Sequence, residues 1–251
     1  MMGNEIEISR DGAVQIIRIN RPDKKNALTR AMYAAMSKAL IDGDADEGVR
    51  VHLVLGVPGV FSSGNDVGDF MAVATGGEQG RDGLDFLEVL ARTQKPIVSG
   101  VDGIAVGIGT TINLHCDLTI ATARTQFHTP FVDLGLLPEA GSSLLGPAVL
   151  GHQRAFALLA LGEPLPAERA MAAGLIYAVV AEDELEVAAL AAAQRIAAKP
   201  PQALKIARDL MLGDRDVLVA RIREEGEHFR TRLTSDEARN AFMAFMNRKK
   251  G

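Results

Sequence analysis

Apolar and polar positions follow distinct periods along this chain, and the periods change in a regular order. Alternation is weak from Glu5 to Asp11 and then resolves into Val14-Gln15-Ile16-Ile17-Arg18-Ile19, which predicts a hairpin turning at Asp11-Gly12. A polar loop from Asn20 to Leu28 follows. Thr29 is placed to cap a helix in which Met32, Ala35, Met36, Ala39 and Leu40 recur at i, i+3, i+4, i+7 and i+8, and the acidic cluster at 42–47 reads as a solvated loop. Apolar strands are expected at 50–56, 96–101 and 117–121, with a helix over 83–93. Past Gly151 the period turns helical at 152–161, at 166–173 up to Gly174, and at 182–198 after a short strand over 176–180.

Lys199-Pro200-Pro201 interrupts this pattern and marks a boundary between a strand-rich part, 1–198, and a helical part, 199–251. Helices are expected at 202–212 and 216–232, and a last one opens on the capping box Thr234-x-x-Glu237 and runs toward Lys250. Its stripe of Ala238, Ala241, Phe242, Phe245 and Met246 calls for cover by its own core or by a neighbouring subunit. The recurring strand-then-helix units without exact repeat suggest an α/β fold of stacked ββα units.

Composition narrows the setting. With 251 residues, 47% hydrophobic and 24% charged, the chain has ample material for a core without metal or disulfide staples. Its single cysteine, Cys116, excludes an intrachain disulfide, and Met1 to Glu5 lack the regions of a signal peptide, so a reducing, cytoplasmic setting is expected. No apolar run approaches the roughly 18 residues a bilayer crossing needs. A net charge of -5 argues against nucleic acid or an anionic membrane as main partner, so an anionic ligand must meet local basic residues.

Candidate chemistry sits in three stretches. Phe61-Ser62-Ser63-Gly64-Asn65-Asp66 and Gly103-Ile104-Ala105-Val106-Gly107-Ile108-Gly109 each follow a strand and carry glycines that let backbone N–H groups face an incoming oxygen anion. Neither has the Gly-Lys-Ser/Thr of a P-loop or the spacing of the dinucleotide fingerprint. In the third stretch Glu139 lies between Pro138 and Ala140-Gly141, beside Leu136 and Leu137 and ahead of Ser142-Ser143, which can open a helix. Such a carboxylate is either a surface residue in a turn or a base whose pKa desolvation raises. Lys24 and Lys25 read equally as solvated or ligand-facing. His52, His115, His128, His152 and His228 have no metal-ligand spacing, so no metal is expected.

Taken in order, Asn20-Arg21-Pro22, the Phe61 and Gly103 loops, Cys116-Asp117 and Phe127-x-x-Pro130-x-x-x-x-Gly135-x-x-Pro138 resemble the crotonase (enoyl-CoA hydratase/isomerase) superfamily over nearly the whole chain. The resemblance implies a crotonase-like spiral of ββα units bearing an acyl-CoA site, and a C-terminal helical trimerisation region that assembles a homotrimer or a dimer of trimers. It implies an acyl-CoA thioester substrate, with coenzyme A entering as part of that substrate and no separate cofactor. By the same resemblance the backbone N–H groups of Asn65 and Ile108 form an oxyanion hole. Many relatives have glycine at the second position, so the Ile108 side chain must point away from the oxygen. Lys24, Lys25, Phe245 and Arg248 match regions that contact CoA, the last two often on a neighbouring subunit's ligand.

Departures from the family pattern select the reaction. Hydratases of the family place two glutamates where this chain has Thr111 and Phe131, neither of which can act as a general base for water. The segment through Pro138-Glu139 is similar instead to peroxisomal-type Δ3,Δ2-enoyl-CoA isomerases, in which the matching glutamate is the single base. The resemblance thus implies Glu139 as base, with Phe131, Leu136 and Leu137 excluding water and Asp66 and Asp69 in structural roles. The peroxisomal address does not carry over, because Ser-Lys-Leu is missing from the C-terminus. Hydration or thioester hydrolysis by Glu139, and a CoA-binding subunit without chemistry, are the competing readings.

Overall fold

The computed structural model describes residues 5–66, 68–69 and 80–248, with side chains described to residue 244. The opening hairpin pairs β1 (Ile6–Asp11) with β2 (Val14–Ile19), and Asp11 faces Val14, so Gly12-Ala13 makes the turn. After α1 (Arg30–Ala45) come three strand pairs. These are β3 (Val51–Leu55) with β4 (Val60–Ser62), β5 (Ile97–Val101) with β6 (Ile104–Val106), and β7 (Leu118–Thr122) with β8 (Gln126–His128). The first strand of each pair joins one sheet and the second joins another. With β9 (Leu165–Pro166) and β10 (Ala178–Val180), the sheets run β1-β2-β3-β5-β7-β10 and β4-β6-β8-β9, parallel except at β1/β2 and β8/β9. This is the α/β spiral of ββα turns.

The corners between paired strands stack on one another, and one buried carboxylate joins them. Asp102 accepts hydrogen bonds from the Gly59 amide (2.6 Å), the Thr122 hydroxyl (2.7 Å) and Arg124 Nε (2.7 Å). Burial opposes its charge, yet the bonds from Arg124, Gly59 and Thr122 hold its pKa below the usual carboxylate range. Gly103, at φ +67°, is required here, since a Cβ would lie 2.0 Å from the Gly59 carbonyl oxygen.

Helices cover both faces of the larger sheet, which explains why β3 and β5 are buried at every position. On one face α7 (Leu185–Ala197) lays Leu185, Ala189, Ala192 and Ala193 over Val51, Leu53 and Val98, after α2 (Asp82–Arg92), α3 (Ile108–Thr111), α4 (Ser142–Leu150), α5 (His152–Leu159) and α6 (Ala167–Ala173) in the chain. The other face joins the main core, which also takes in Val219, Ile222, Leu233, Ala238 and Phe242 from the C-terminal helices. Those helices are α8 (Pro201–Leu212), α9 (Arg215–Leu233) and α10 (Asp236–Arg248). Among the described residues no helix is long and apolar enough to cross a membrane.

Two expectations from the sequence need correction. Residues 42–47 are not a solvated loop, because α1 continues to Ala45 and Asp44 reaches His52 Nε2 (3.1 Å) and the amides of Gln94 (2.7 Å) and Lys95 (3.1 Å). Local charge density could not reveal those partners, which tertiary folding delivers. Thr234 is not the cap of the last helix: α9 runs to Leu233, so Thr234 closes it, and Ser235 Oγ accepts the Ala238 N–H (3.2 Å) in its place. Val67 and Phe70 of the first loop region, the side chains of Phe245, Met246 and Arg248, and Lys249 and Lys250 lie outside what is described.

Candidate active site

The polar loop after β2 builds the first half of the site. Asn26, fully buried, donates through Nδ2 to the carbonyls of Ile19, Val60 and Phe61 at 3.0 Å each, which clamps this loop onto β4. Arg21 Nη1 donates to Asp66 Oδ2 (2.6 Å), and Asp66 Oδ1 accepts the Gly68 amide (2.8 Å), so Asp66 braces its own loop. Leu28 then bridges to Asn65, with its N–H on the Gly64 carbonyl (2.8 Å) and its carbonyl on the Asp66 amide (2.9 Å). In such a parallel bridge the N–H of residue 65 itself faces the other side of the chain and stays available.

The second half begins at Gly107, whose φ of +56° turns the chain from β6 into α3. Its carbonyl accepts the amides of Thr110 (2.8 Å) and Thr111 (3.0 Å), while the first N–H groups of the helix, Ile108 included, have no intrahelical acceptor. Glycines bring the two loops together. A Cβ at Gly107 would sit 3.9 Å from Gly64 Cα, and one at Gly109 would sit 2.6 Å from the Ser62 carbonyl oxygen. The Ile108 side chain is 1% exposed and lies in the main core, so only its backbone is offered to the site.

Glu139 is buried, and its Oε1 accepts the Thr111 hydroxyl at 2.6 Å. Burial pushes its pKa up to about 8, against the Thr111 bond and helped by the nearby Glu225 carboxylate. The turn that carries it is unusual: Ala140 and Gly141 are both left-handed, at φ +63° and +69°. Fixed partners hold that shape. The Glu139 carbonyl accepts the Ser142 amide (3.1 Å), and the Ala140 carbonyl lies 2.7 Å from His115 Nε2. Burial lowers the His115 pKa to about 4, so the ring is neutral and must carry its proton on Nε2 to donate this bond.

Glu139, Asn65 and Tyr33 share a cavity of about 500 Å³ whose apolar walls are Leu28, Leu84, Leu87, Ile222, Phe229 and Leu233. Arg30, Asp69, Arg81 and Arg230 also border it. Of the residues the sequence pointed to, Glu139 and Asn65 meet there, and Ile108 reaches the adjoining loop. Phe131 and Leu136 are core residues and Leu137 is half-buried; none lines the cavity, whose walls come largely from α1, α2 and α9 instead. Lys24 and Lys25 are exposed beside the first loop, where the Lys25 carbonyl accepts the Ser63 amide (3.0 Å). Among the described residues no group of three or more His, Cys, Asp or Glu is placed to hold a metal.

Two site residues escaped the sequence reading. Tyr33 donates its hydroxyl to Asn65 Oδ1 (2.6 Å), and its ring packs on Phe86 at 5.3 Å between centroids. Burial, with the charges of Glu139 and Asp69, pushes its pKa well above the usual range, which keeps it a neutral donor. Its position three before Met36 and seven before Leu40, on the buried stripe of α1, was the available signal. The second is Glu225, 4% exposed on α9, three residues after Ile222 on that helix's buried face.

Comparison with known proteins agrees with this geometry. The sequence model of the family described as enoyl-CoA hydratase/isomerase matches residues 9–251. Enoyl-CoA delta isomerase 2 of Rattus norvegicus is 34% identical over 250 residues, which cover 97% of this chain and 64% of that protein, so the chain spans just under two thirds of that relative's length. The structure of Pseudomonas aeruginosa OdaA superposes with a TM-score of 0.92 at 41% identity, covering 97% of this chain and 99% of that one. An enoyl-CoA hydratase/isomerase from Pseudoalteromonas atlantica T6c gives 0.92 at 34% identity, with 98% of each chain covered. The paired glycine loops, the ββα spiral that sets them side by side and these matches together place the chain in the enoyl-CoA hydratase/isomerase family of the crotonase superfamily.

Proposed function

We propose that this chain shifts the double bond of an enoyl-CoA between C3 and C2. The observation that carries the reading is a base without a water-activating partner. Glu139 is buried in the cavity beside Asn65, and Thr111, at one of the two glutamate positions of hydratases, donates a hydrogen bond to it. Asp69 also borders the cavity, but it is only half-buried and accepts the Arg30 amide (3.3 Å).

In the proposed mechanism the thioester carbonyl oxygen of a 3-enoyl-CoA receives the N–H groups of Asn65 and Ile108. Glu139 removes a proton from C2, and the electron pair delocalises over the C3–C4 double bond onto that oxygen as a dienolate. Glu139 then returns the proton to C4, which leaves the double bond between C2 and C3. Each oxyanion donor contributes a factor of about 10² to 10³ in rate. One base serves both carbons because they flank C3 on one face. Lys24 and Lys25, with Phe245 and Arg248, would meet the CoA moiety.

Turnover of 3-enoyl-CoA compared with 2-enoyl-CoA and saturated acyl-CoA tests the reading: rapid isomerisation with slow hydration and hydrolysis supports it, and water addition or CoA release as the fastest process overturns it. Tyr33→Phe is expected to lower kcat about 3- to 10-fold and stability by about 1 kcal/mol, since Asn65 loses the bond that orients it. Thermal melting beside steady-state kinetics would show both.

A cytoplasmic homotrimer, or a pair of trimers, belongs to the same proposal. Ile206, Leu210 and Met211 of α8 are 61%, 79% and 79% exposed, an apolar row that assembly would cover. Equilibrium sedimentation is expected to give three or six times the chain mass. A monomer at every concentration would contradict assembly.

A further inference from the structure

Helix α4 starts immediately after the Glu139 turn, and its N-cap residue, Gly141, has no side chain to satisfy the first N–H groups. A side chain there would be strained by the left-handed backbone, at φ +69°, and its Cβ would press on Leu218 Cδ1 at 2.4 Å. The cap arrives from another helix. Glu225 of α9 accepts the Gly141 amide on Oε2 (2.6 Å) and the Ser143 amide on Oε1 (3.0 Å), while Arg221 of the same helix donates to Ser143 Oγ (3.3 Å). A carboxylate 84 positions from Gly141 and 82 from Ser143 thus fixes the backbone two and four residues after the proposed base.

We propose that Glu225 is a positioning residue for Glu139: it locks the left-handed Ala140-Gly141 turn that aims the carboxylate into the cavity. The inference rests on Glu139 as the proposed base, but its geometry does not depend on which acyl-CoA reaction follows.

Geometry comes first. Of the two successive left-handed residues Gly141 adopts that region freely, whereas Ala140 does so at a cost of about 1–2 kcal/mol and persists there only where the surroundings over-determine it. Glu225 supplies two of the bonds that do so; His115 supplies another from the opposite side. A displacement of about 1 Å at a reacting group is enough to lower a rate about 10²-fold.

Charge acts in addition. Burial raises the pKa of Glu225, while the Ser143 and Gly141 donors and Arg221 favour its ionised form. In that form its negative charge opposes ionisation of Glu139. Other ionisable groups facing this pair are Tyr33 and Arg30 from α1, Asp69, Arg81, His115, and Arg221 and Arg230 from α9. Tyr33 and His115 stay neutral through the working range, so their protonation does not mask the coupling.

The test titrates Glu139 directly. The full-length protein is labelled with carboxyl-13C glutamate, and the Glu139 resonance is assigned by its loss in Glu139→Gln. In Glu225→Gln the midpoint of Glu139 is expected to move to lower pH, together with the acidic limb of the kcat profile. In Glu225→Ala, kcat is expected to fall about 10²-fold with KM changed less than about twofold. An unmoved Glu139 midpoint in Glu225→Gln overturns the role of charge, and a wild-type kcat in Glu225→Ala overturns the role of geometry. If Glu225→Ala does not fold, the titration of Glu225→Gln and its kcat decide the question. The NMR midpoint reads the coupling even if the chain is not an isomerase, so failure of this inference and failure of the functional proposal are separable.

Discussion

Glu139→Gln is expected to lower kcat by about 10³-fold while making the protein without ligand more stable at alkaline pH. The first effect is the loss of the proposed base, the only buried carboxylate that lines the cavity among the described residues: general bases contribute typically about 10² to 10⁴ in rate. Glutamine keeps the shape and can still accept the Thr111 hydroxyl, so loss of packing does not explain the result. The second effect follows from linkage. The folded chain raises the Glu139 pKa from 4.5 to about 8, so the native state binds the proton more tightly than the unfolded chain. Stability from this group is therefore full below the unfolded value, falls as pH rises from 4.5, and is lost by about pH 8, a cost of several kcal/mol. The variant has no such slope. In denaturant melts the stability of Glu139→Gln relative to the wild type should increase from acidic to alkaline pH, and wild-type kcat/KM should rise with pH toward a plateau above about 8.

Gly109→Ala is expected to lower kcat by about 10²-fold and stability by about 1–3 kcal/mol, although helix propensity alone argues for the reverse. Alanine is favoured over glycine within a helix by about 1 kcal/mol. Here the added Cβ would lie 2.6 Å from the Ser62 carbonyl oxygen and 3.0 Å from Ser62 Cβ, so α3 must move off the first loop. Ile108, the residue before it, moves with the helix, which would draw its N–H away from the oxyanion hole proposed for it and Asn65. A melting curve and steady-state kinetics separate the alternatives. Raised stability with unchanged kcat would show that the contact between the loops is unimportant.

Local signals made much of this legible from residues alone. The hairpin, the stripe of α1, the first strand of each pair and the break at Lys199-Pro200-Pro201 all appear as period changes or turn chemistry. The second strands, β4, β6 and β8, are three residues long and carry too little periodicity to register. Glycine- and proline-marked turns drew attention to the stretches that hold Asn65, Ile108 and Glu139, while the resemblance to the family singled out Asn65 and Ile108 within them. Tyr33 and Glu225 were not, since each lies within a long helix and gains its role from a partner 32 or 84 positions away. Asp44 fails for the same reason: its neighbours in sequence are acidic and exposed, while its partners come from β3 and the loop after α2.

The most direct test of the single-base account is the fate of a 3-enoyl-CoA deuterated at C2 and turned over in ordinary water. One buried carboxylate that carries the proton from C2 to C4 predicts a 2-enoyl-CoA of unchanged skeleton in which part of the deuterium removed from C2 reappears at C4, with no such product from Glu139→Gln. A product heavier by one water, free CoA, or isomerisation that survives undiminished in Glu139→Gln would contradict it.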